Sequence, residues 1–389
     1  MTDRFTWRHW VHQERDSIRF AGRWRTIRDL DGPGPDTFVV EDGDGEARRA
    51  VVSFASNDYL GLTRHPAVVA AAHDALDRWG TGSGAARLVA GSRTVHGDLE
   101  AELAEWKRAE RAILFPTGYA ANLGVLTALG GPGVRILSDE LNHASIVDGC
   151  RLARASGAEV AVYPHRDLDA VEATLRRRGA AGGRTIVVTD TVFSMDGDAA
   201  ALDELTALCG RHGALLVLDE AHAVLGPEPP PGRCELLRIG TLSKALASLG
   251  GFVAGDAPFV ELVANRARPF IFTTASPPAT TAAALAALRV VRSAEGAALC
   301  TRLRHHVAGV APSHPSPIVA VVLGDEAVAM GASAALLEQG LLVVAIRPPS
   351  VAPGTSRLRV ALSAAHTDDQ VERLRTALCG LLEAPALAP

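Results

Sequence analysis

Short, mainly apolar segments alternate with helical stretches along most of this chain, and that alternation limits its fold more than any other feature. The runs Ala112–Phe115, Val134–Ser138, Val160–Tyr163, Thr185–Thr189, Ala214–Leu218, Leu237–Thr241 and Gly251–Ala254 read as strands. A run with no polar face suits a strand covered on both sides, as in a parallel sheet. Helical stretches Ala120–Leu129, Leu168–Arg178 and Leu202–Arg211 lie between them. This order predicts an α/β fold with a mostly parallel, doubly wound sheet flanked by helices, whose ligands bind beyond the carboxyl ends of the strands.

The flanks read differently. Residues 1–30 form a charged amphipathic helix with Trp7, Trp10 and Val11 on one edge, and 31–50 a turn-rich hairpin. An alanine-rich helical bridge over 280–310 leads to strand Ile318–Leu323, helix Glu326–Glu338, strands Leu341–Ala345 and Arg357–Leu362, and helix Asp368–Leu382. The pattern predicts an N-terminal arm and hairpin over 1–50, a large domain over 51–285 and a small α+β domain over 286–389.

Charge and cysteine usage narrow the function. The net charge is −5, no basic stripe stands out, and a short run such as Arg176 to Arg178 reads as a solvated helix face, which argues against nucleic-acid binding. Five scattered cysteines without a CxxC pair argue against a disulfide framework or a structural metal. The N-terminus lacks the apolar core of a secretion signal, and no apolar run is long enough to span a bilayer. The expectation is a soluble cytoplasmic protein that binds neither nucleic acid nor membrane.

Only two lysines occur, and they read differently. Lys107, in AELAEWKRAE, has a helical surface pattern and is expected to be solvated. Lys244, in GTLSKALASLGG, follows a strand among the hydroxyls of Thr241 and Ser243. A lysine in a partly dry site has a lowered pKa and an available amine, which suits Schiff-base chemistry, and nearby hydroxyls suit a phosphate. Upstream, LLVLDEAHAV places Asp219 at a strand end with His222 three residues on. A carboxylate there can hold the pyridinium nitrogen of pyridoxal 5′-phosphate (PLP), so that the ring withdraws electrons. In FPTGYAANLG a strand runs through Thr117, Gly118 and Tyr119 into a helix, whose N-terminus favours a phosphate. The glycine-rich 80–92 lacks both nucleotide-loop patterns and reads as a loop near the active site.

With SNDYLGLTRHP (56–66), ARLVAGSRTVHGDLEAELA (86–104), SDELNHASIVDGCRL (138–152), VVTDTVFSMDGD (187–198), RPFIFTTASPPA (268–279) and IRPPSVAPGTSRLRVALSAAHT (346–367), these segments follow one order across about 55–367. In that order they resemble the α-oxoamine synthases, PLP enzymes of fold type I. The resemblance implies that Lys244 carries the cofactor and later moves the substrate Cα proton. Asp219 would pair with the ring nitrogen, His222 would contact the phenolic oxygen, and His143 would stack on the ring. Ser194 and Thr241 would help hold the cofactor, with Gly118 and Tyr119 at the phosphate end. Thr273 and Thr274 would reach the cofactor phosphate of a neighbouring subunit, which implies a homodimer with shared active sites. Asn57 and Arg359 would bind the amino-acid carboxylate, and Ser350 would touch the acyl group. A guanidinium such as that of Arg359 can grip a carboxylate through two parallel hydrogen bonds. The implied reaction is decarboxylative condensation of an amino acid with an acyl-CoA or an acyl carrier protein.

RPPSVAPGTSRLR resembles the biotin-pathway branch, which implies L-alanine and a pimeloyl thioester. DEAHAV instead resembles glycine-using relatives, and the proline of the 352–353 pair stands one place later than is usual. The span from His222 to Lys244 is short and holds PEPPPGR, where relatives carry a longer glycine-rich loop. Arg19, Arg23 and Arg25 are alternative candidates for a substrate-binding arginine of the arm. An α-oxoamine synthase with a different amino acid or acyl group, and a PLP aminotransferase, stand as alternatives.

Overall fold

The computed structural model describes residues 6–32, 34–40, 48–181 and 183–383. Helix α1 (Trp7–Phe20) is followed by an antiparallel hairpin of β1 (Asp36–Val40) and β2 (Arg48–Ser53), whose connecting loop lies outside the described residues. Helices α2 (Pro66–Trp79) and α3 (Thr94–Lys107) lead into the main sheet. Its strands and intervening helices are β3 (Arg111–Phe115), α4 (Gly118–Leu129), β4 (Val134–Asp139), α5 (Ala144–Ala155), β5 (Glu159–Tyr163), α6 (Leu168–Ala181), β6 (Arg184–Asp190), α7 (Leu202–His212), β7 (Leu215–Asp219), β8 (Leu236–Thr241) and β9 (Gly251–Gly255).

The seven strands lie in the order β3-β9-β8-β7-β6-β4-β5. All neighbours from β8 to β5 pair in parallel, while β9 runs antiparallel to β8 and β3. Every residue of β7 is buried, because alternate side chains enter different cores. Leu215 and Val217 join Val125, Leu126 and Ile146 on one face, and Leu216 and Leu218 join Val171, Leu205 and Leu208 on the other. All seven strands read from the sequence are present, with ends shifted by a residue or two.

Beyond the main sheet, helices Pro278–Val291 and Ala294–Val310 replace the single bridge expected. They lead to β10 (Ile318–Gly324), helix Glu326–Glu338, β11 (Leu341–Leu342), β12 (Val344–Ile346), β13 (Ser356–Ala361) and helix Asp368–Glu383. The expected strand over Leu341–Ala345 is two strands. Its first half pairs in parallel with β2 and its second half antiparallel with β13, so the chain changes sheets at the buried Val343. The N-terminal hairpin and the C-terminal segment therefore share one sheet, β1-β2-β11, beside β10-β13-β12.

The helix expected over 1–30 spans only Trp7–Phe20, with 1–5 outside the described residues; it has the expected apolar edge yet buries none of its residues, Trp7 being 78% and Trp10 51% exposed. Arg176 and Arg177 are exposed on α6, as expected, whereas the side chain of Arg178 lies outside the described residues. Among the described residues no helix is long and apolar enough to cross a membrane.

The sequence reading of Lys107 is corrected. This lysine is 7% exposed, at the end of α3, with its Nζ 2.8 Å from Glu220 Oε2. Arg238 on β8 bonds the other Glu220 oxygen at 2.5 Å, donates to the Lys107 carbonyl at 3.1 Å and pairs with Glu228 at 2.6 Å. Burial raises the Glu220 pKa, but Lys107 and Arg238 outweigh it and hold the carboxyl below its ordinary range. The helical pattern placed Lys107 on a helix correctly; the buried acid it faces stands more than a hundred residues away. Removing one partner of a buried ion pair strands the other. Lys107→Met is therefore expected to lower unfolding stability by about 3 kcal/mol. Urea denaturation measures this, and a loss below about 1 kcal/mol would contradict the assignment.

Candidate active site

Three neighbouring parallel strands end on an aspartate: β4 on Asp139, β6 on Asp190 and β7 on Asp219. Asp190 and Asp219 are register partners, and all three are buried. The crevice at this carboxyl edge thus begins with an excess of acid that its surroundings must satisfy.

Helices α4 and α5 supply much of that. Asn122, one turn into α4, donates Nδ2 to Asp219 Oδ2 at 2.6 Å and to Ser145 Oγ at 2.9 Å. Ser145 Oγ lies 2.8 Å from His143 Nδ1 at the N-cap of α5. The backbone N–H of His143 donates to Asp190 Oδ2 at 2.7 Å, and that of Asp190 to Asn142 Oδ1 at 2.9 Å. Burial, then the Asp219 charge, pushes the Asp190 carboxyl well above the usual range. Burial lowers the His143 pKa, against the pull of Asp219.

A second chain of contacts enters from the opposite side. Lys244 Nζ lies 2.9 Å from His222 Nε2, and His222 Nδ1 lies 2.6 Å from the Tyr59 hydroxyl. That hydroxyl is 3.0 Å from Asn57 Oδ1, which also accepts from an Arg359 nitrogen at 3.2 Å. Arg359 Nε donates to the Ser194 carbonyl at 2.6 Å. Burial lowers the pKa of Lys244, partly opposed by Asp219 and Asp190. Burial, with Lys244 and Arg359 adding, lowers that of His222 well below its ordinary value, so its ring is neutral at neutral pH. Burial also raises the Tyr59 pKa and keeps its hydroxyl protonated. Arg357 and Arg359 are both buried on β13, Arg357 against Asp196, so neither is a surface arginine.

The third part is an anion cup. Thr117 caps α4 by accepting from the Ala120 N–H at 3.0 Å. The first-turn N–H groups of Gly118 and Tyr119 have no acceptor inside the helix. Gly118 packs beside the end of β8, where Thr241 Oγ1 and Ser243 Oγ lie 2.7 Å apart. A Cβ on Gly251 would stand 2.5 Å from Gly118 N, so the approach needs glycine there, and one on Gly118 would crowd Thr241 Cβ at 3.3 Å. The Tyr119 ring meets His143 edge-on at 6.3 Å and its hydroxyl bonds Asp148.

The structure thus brings together Asn57, Gly118, Tyr119, His143, Ser194, Asp219, His222, Thr241, Lys244 and Arg359. Other expected residues lie apart. Thr273 and Thr274 are exposed, and Thr274 forms a β-bridge to Ala86 in the glycine-rich segment. Ser350 is exposed in the turn after Pro349, with its N–H on the Arg347 carbonyl at 3.1 Å. Of the arm arginines, Arg23 pairs with Glu326 at 2.6 Å, Arg19 stacks over Trp24 at 4.4 Å and Arg25 is exposed. Sequence reasoning did not select Tyr59, Asn122, Ser145 or Asp190. A signal existed for Asn122, the one amide in an otherwise apolar helical stretch, and for Asp190, which ends an apolar strand as Asp219 does.

Tyr59→Phe removes the group that partners both His222 Nδ1 and Asn57 Oδ1. Unfolding stability is expected to fall by about 1–3 kcal/mol, the penalty of an unpaired buried polar atom. A urea midpoint equal to that of the parent would show that the contact contributes nothing.

Comparison with known proteins places this geometry. Residues 49–378 match the family described as aminotransferase class I and II. The chain is 50% identical to the 8-amino-7-oxononanoate synthase of Anaeromyxobacter dehalogenans strain 2CP-1, over 98% of this chain and 96% of that one. It is 45% identical to the 8-amino-7-oxononanoate synthase of Geobacter sulfurreducens, over 94% of this chain and 96% of that one. Among solved structures, a serine palmitoyltransferase from S. paucimobilis with bound PLP and myriocin superposes with a TM-score of 0.85 at 30% identity, covering 96% of both chains.

Proposed function

The chain belongs to the aminotransferase class I and II family, in its α-oxoamine synthase branch, and from that premise we propose that it condenses L-alanine with a pimeloyl thioester. The products are 8-amino-7-oxononanoate, CO2 and the free thiol, and the cofactor is PLP. The observation that carries this reading is the convergence on one crevice of the Lys244 amine, the buried Asp219 carboxylate and the paired Asn57 and Arg359.

The donor set fits PLP. Asp219, held by Asn122, suits a protonated ring nitrogen, and the Gly118–Tyr119 cup beside Thr241 and Ser243 suits a phosphate. Lys244 would hold the aldehyde carbon, His222 the phenolic oxygen and His143 the ring face, with Ser194 nearby. When bound, the cofactor supplies an electron-withdrawing ring that stabilises negative charge at the amino-acid Cα.

The chain's own groups supply the rest. Arg359 offers a planar fork for the amino-acid carboxylate, and its contacts to Asn57 and the Ser194 carbonyl hold that fork in place. Lys244 takes the Cα proton at Nζ; burial lowers its pKa and so makes the neutral amine available. The neutral His222 and the protonated Tyr59 add no charge of their own beside the lysine, and the Arg359 charge further favours its neutral amine. Ser350 contacts the acyl group as it enters.

The active unit is a homodimer. Thr273 and Thr274 stand beside the exposed Phe272 and, across the bridge to Ala86, near the exposed Leu88 and Val89. A second subunit would cover this apolar patch and receive the two threonines at its cofactor phosphate. The likeness to serine palmitoyltransferase favours a second reading, with serine as the amino acid. The higher identity to 8-amino-7-oxononanoate synthases over nearly the whole chain supports L-alanine.

Mixing the PLP-loaded enzyme with pimeloyl-CoA and L-alanine, L-serine or glycine tests the reading by mass spectrometry of the product and by CO2 release. The amino ketone from L-alanine is expected; product from serine or glycine alone overturns the substrate, and an oxo acid without CO2 overturns the reaction. Lys244→Ala is expected to lose about 10³-fold or more in kcat and to form no borohydride-stable link to the cofactor. Arg359→Lys keeps the charge but loses the fork, and should raise KM for L-alanine about tenfold.

A further inference from the structure

Both arginines of β13 are held by one turn. Its Ser194 carbonyl accepts from Arg359 Nε at 2.6 Å, and its Asp196 carboxylate pairs with Arg357. A bridge between Val192 and Ala199 closes the turn, with Phe193 N–H on the Asp198 carbonyl at 3.0 Å. Gly197 has φ +75°, and a Cβ there would lie 1.9 Å from the Ile318 carbonyl oxygen, so one side of the turn is pressed against β10.

The other side meets a side chain that the proposed reaction does not use. His165, just after β5, has Nδ1 3.0 Å from Asp139 Oδ1 and Nε2 2.8 Å from Asp198 Oδ2. Ionised carboxylates only accept hydrogen bonds, so both ring nitrogens must carry hydrogen and the ring is an imidazolium. The ring meets Phe193 edge-on at 4.3 Å. Its backbone N–H donates to Glu140 at 2.8 Å. Arg166 adopts a left-handed φ of +60°, so that its own N–H reaches Asp139 at 2.9 Å while its guanidinium reaches Asp198 at 3.1 Å.

We propose that His165 is a positioning residue: as an imidazolium it clasps the 192–199 turn to the end of β4 and so sets Arg359 for the amino-acid carboxylate. This rests on Arg359 being the carboxylate clamp. The charged groups facing the ring are Asp139 and Asp198, with Glu140 and Arg166 beside it; Asp196, Arg357 and His314 lie across the turn. Burial opposes the charged ring, but Asp139 and Asp198 outweigh it and push its pKa up to about 9. A histidine raised in the folded state contributes its stabilisation fully below its unfolded pKa of about 6.5 and loses it as pH rises through the folded value. The clasp is closed at neutral pH and opens as pH rises through about 9.

Hydrogen–deuterium exchange of the PLP-loaded enzyme, corrected for the intrinsic pH dependence, reads the clasp directly. Protection of the 192–199 turn should fall between about pH 8 and about pH 10 in the parent, and be low and flat with pH in His165→Gln. At neutral pH His165→Gln should raise KM for L-alanine about tenfold, with kcat changed by less than about threefold, because the clamp is mis-set while Lys244 is untouched. Turn protection in the variant that follows the parent at every pH overturns the proposal. So does an unchanged KM in His165→Gln where Arg359→Lys raises it. If Arg359→Lys also leaves KM unchanged, the carboxylate clamp itself is wrong. Should the variant fail to fold, the parent's pH series decides alone: turn protection that stays constant across that range overturns the clasp.

Discussion

Placing three carboxyl groups side by side in a dry crevice is the constraint around which this molecule is arranged. Each is carried there by a largely buried strand, so the sheet that builds the core also delivers the acids. Each then finds a different kind of partner. Asp139 meets an imidazolium and backbone N–H groups, Asp219 an amide side chain and a backbone N–H, and Asp190 a backbone N–H with a strong bias toward its protonated form. Like charges this close in a low dielectric cannot all ionise without such partners. Asn122 and the His143 N–H, which satisfy Asp219 and Asp190, also stand at the proposed cofactor site, so holding the edge together and building the site are one task.

The arginines of β13 answer the acids from the other wall. Arg357 and Arg359 are alternate residues on a strand with neighbours on both sides, β10 and β12, and both are buried. Two buried guanidiniums on one face are sustainable only with acceptors already in place, which the 194–196 segment provides. Their cost in desolvation is met by contacts that also fix their direction, and direction is what a carboxylate-binding fork requires.

Much of this was legible from local pattern. The seven strands were, because burial on both faces leaves an apolar run that is visible residue by residue. Lys244, Asp219 and His222 were, because a strand end, a hydroxyl pair and a glycine turn are short-range features. What stayed hidden depends on distant partners. Tyr59 matters through His222, Asn122 through Asp219 and Lys107 through Glu220, and none of these pairs is close in sequence. The five residues from Leu341 were read as one strand because alternation reports only that a strand exists, and not that its halves belong to different sheets.

That division at Val343 has a consequence for how the polypeptide matures. Strand β2 pairs with β1 on one side, but its other edge waits for Leu341 and Leu342, which are synthesised almost three hundred residues later. Domains form broadly in the order in which they leave the ribosome, and distant pairings are the slow ones. The main sheet, complete by Gly255, has its strands in hand while the first hairpin still presents an open hydrogen-bonding edge. During translation the earliest strands of the chain are therefore among the last to be finished, and the nascent protein carries an unpaired edge that a chaperone, or a neighbouring chain on the same message, can reach first.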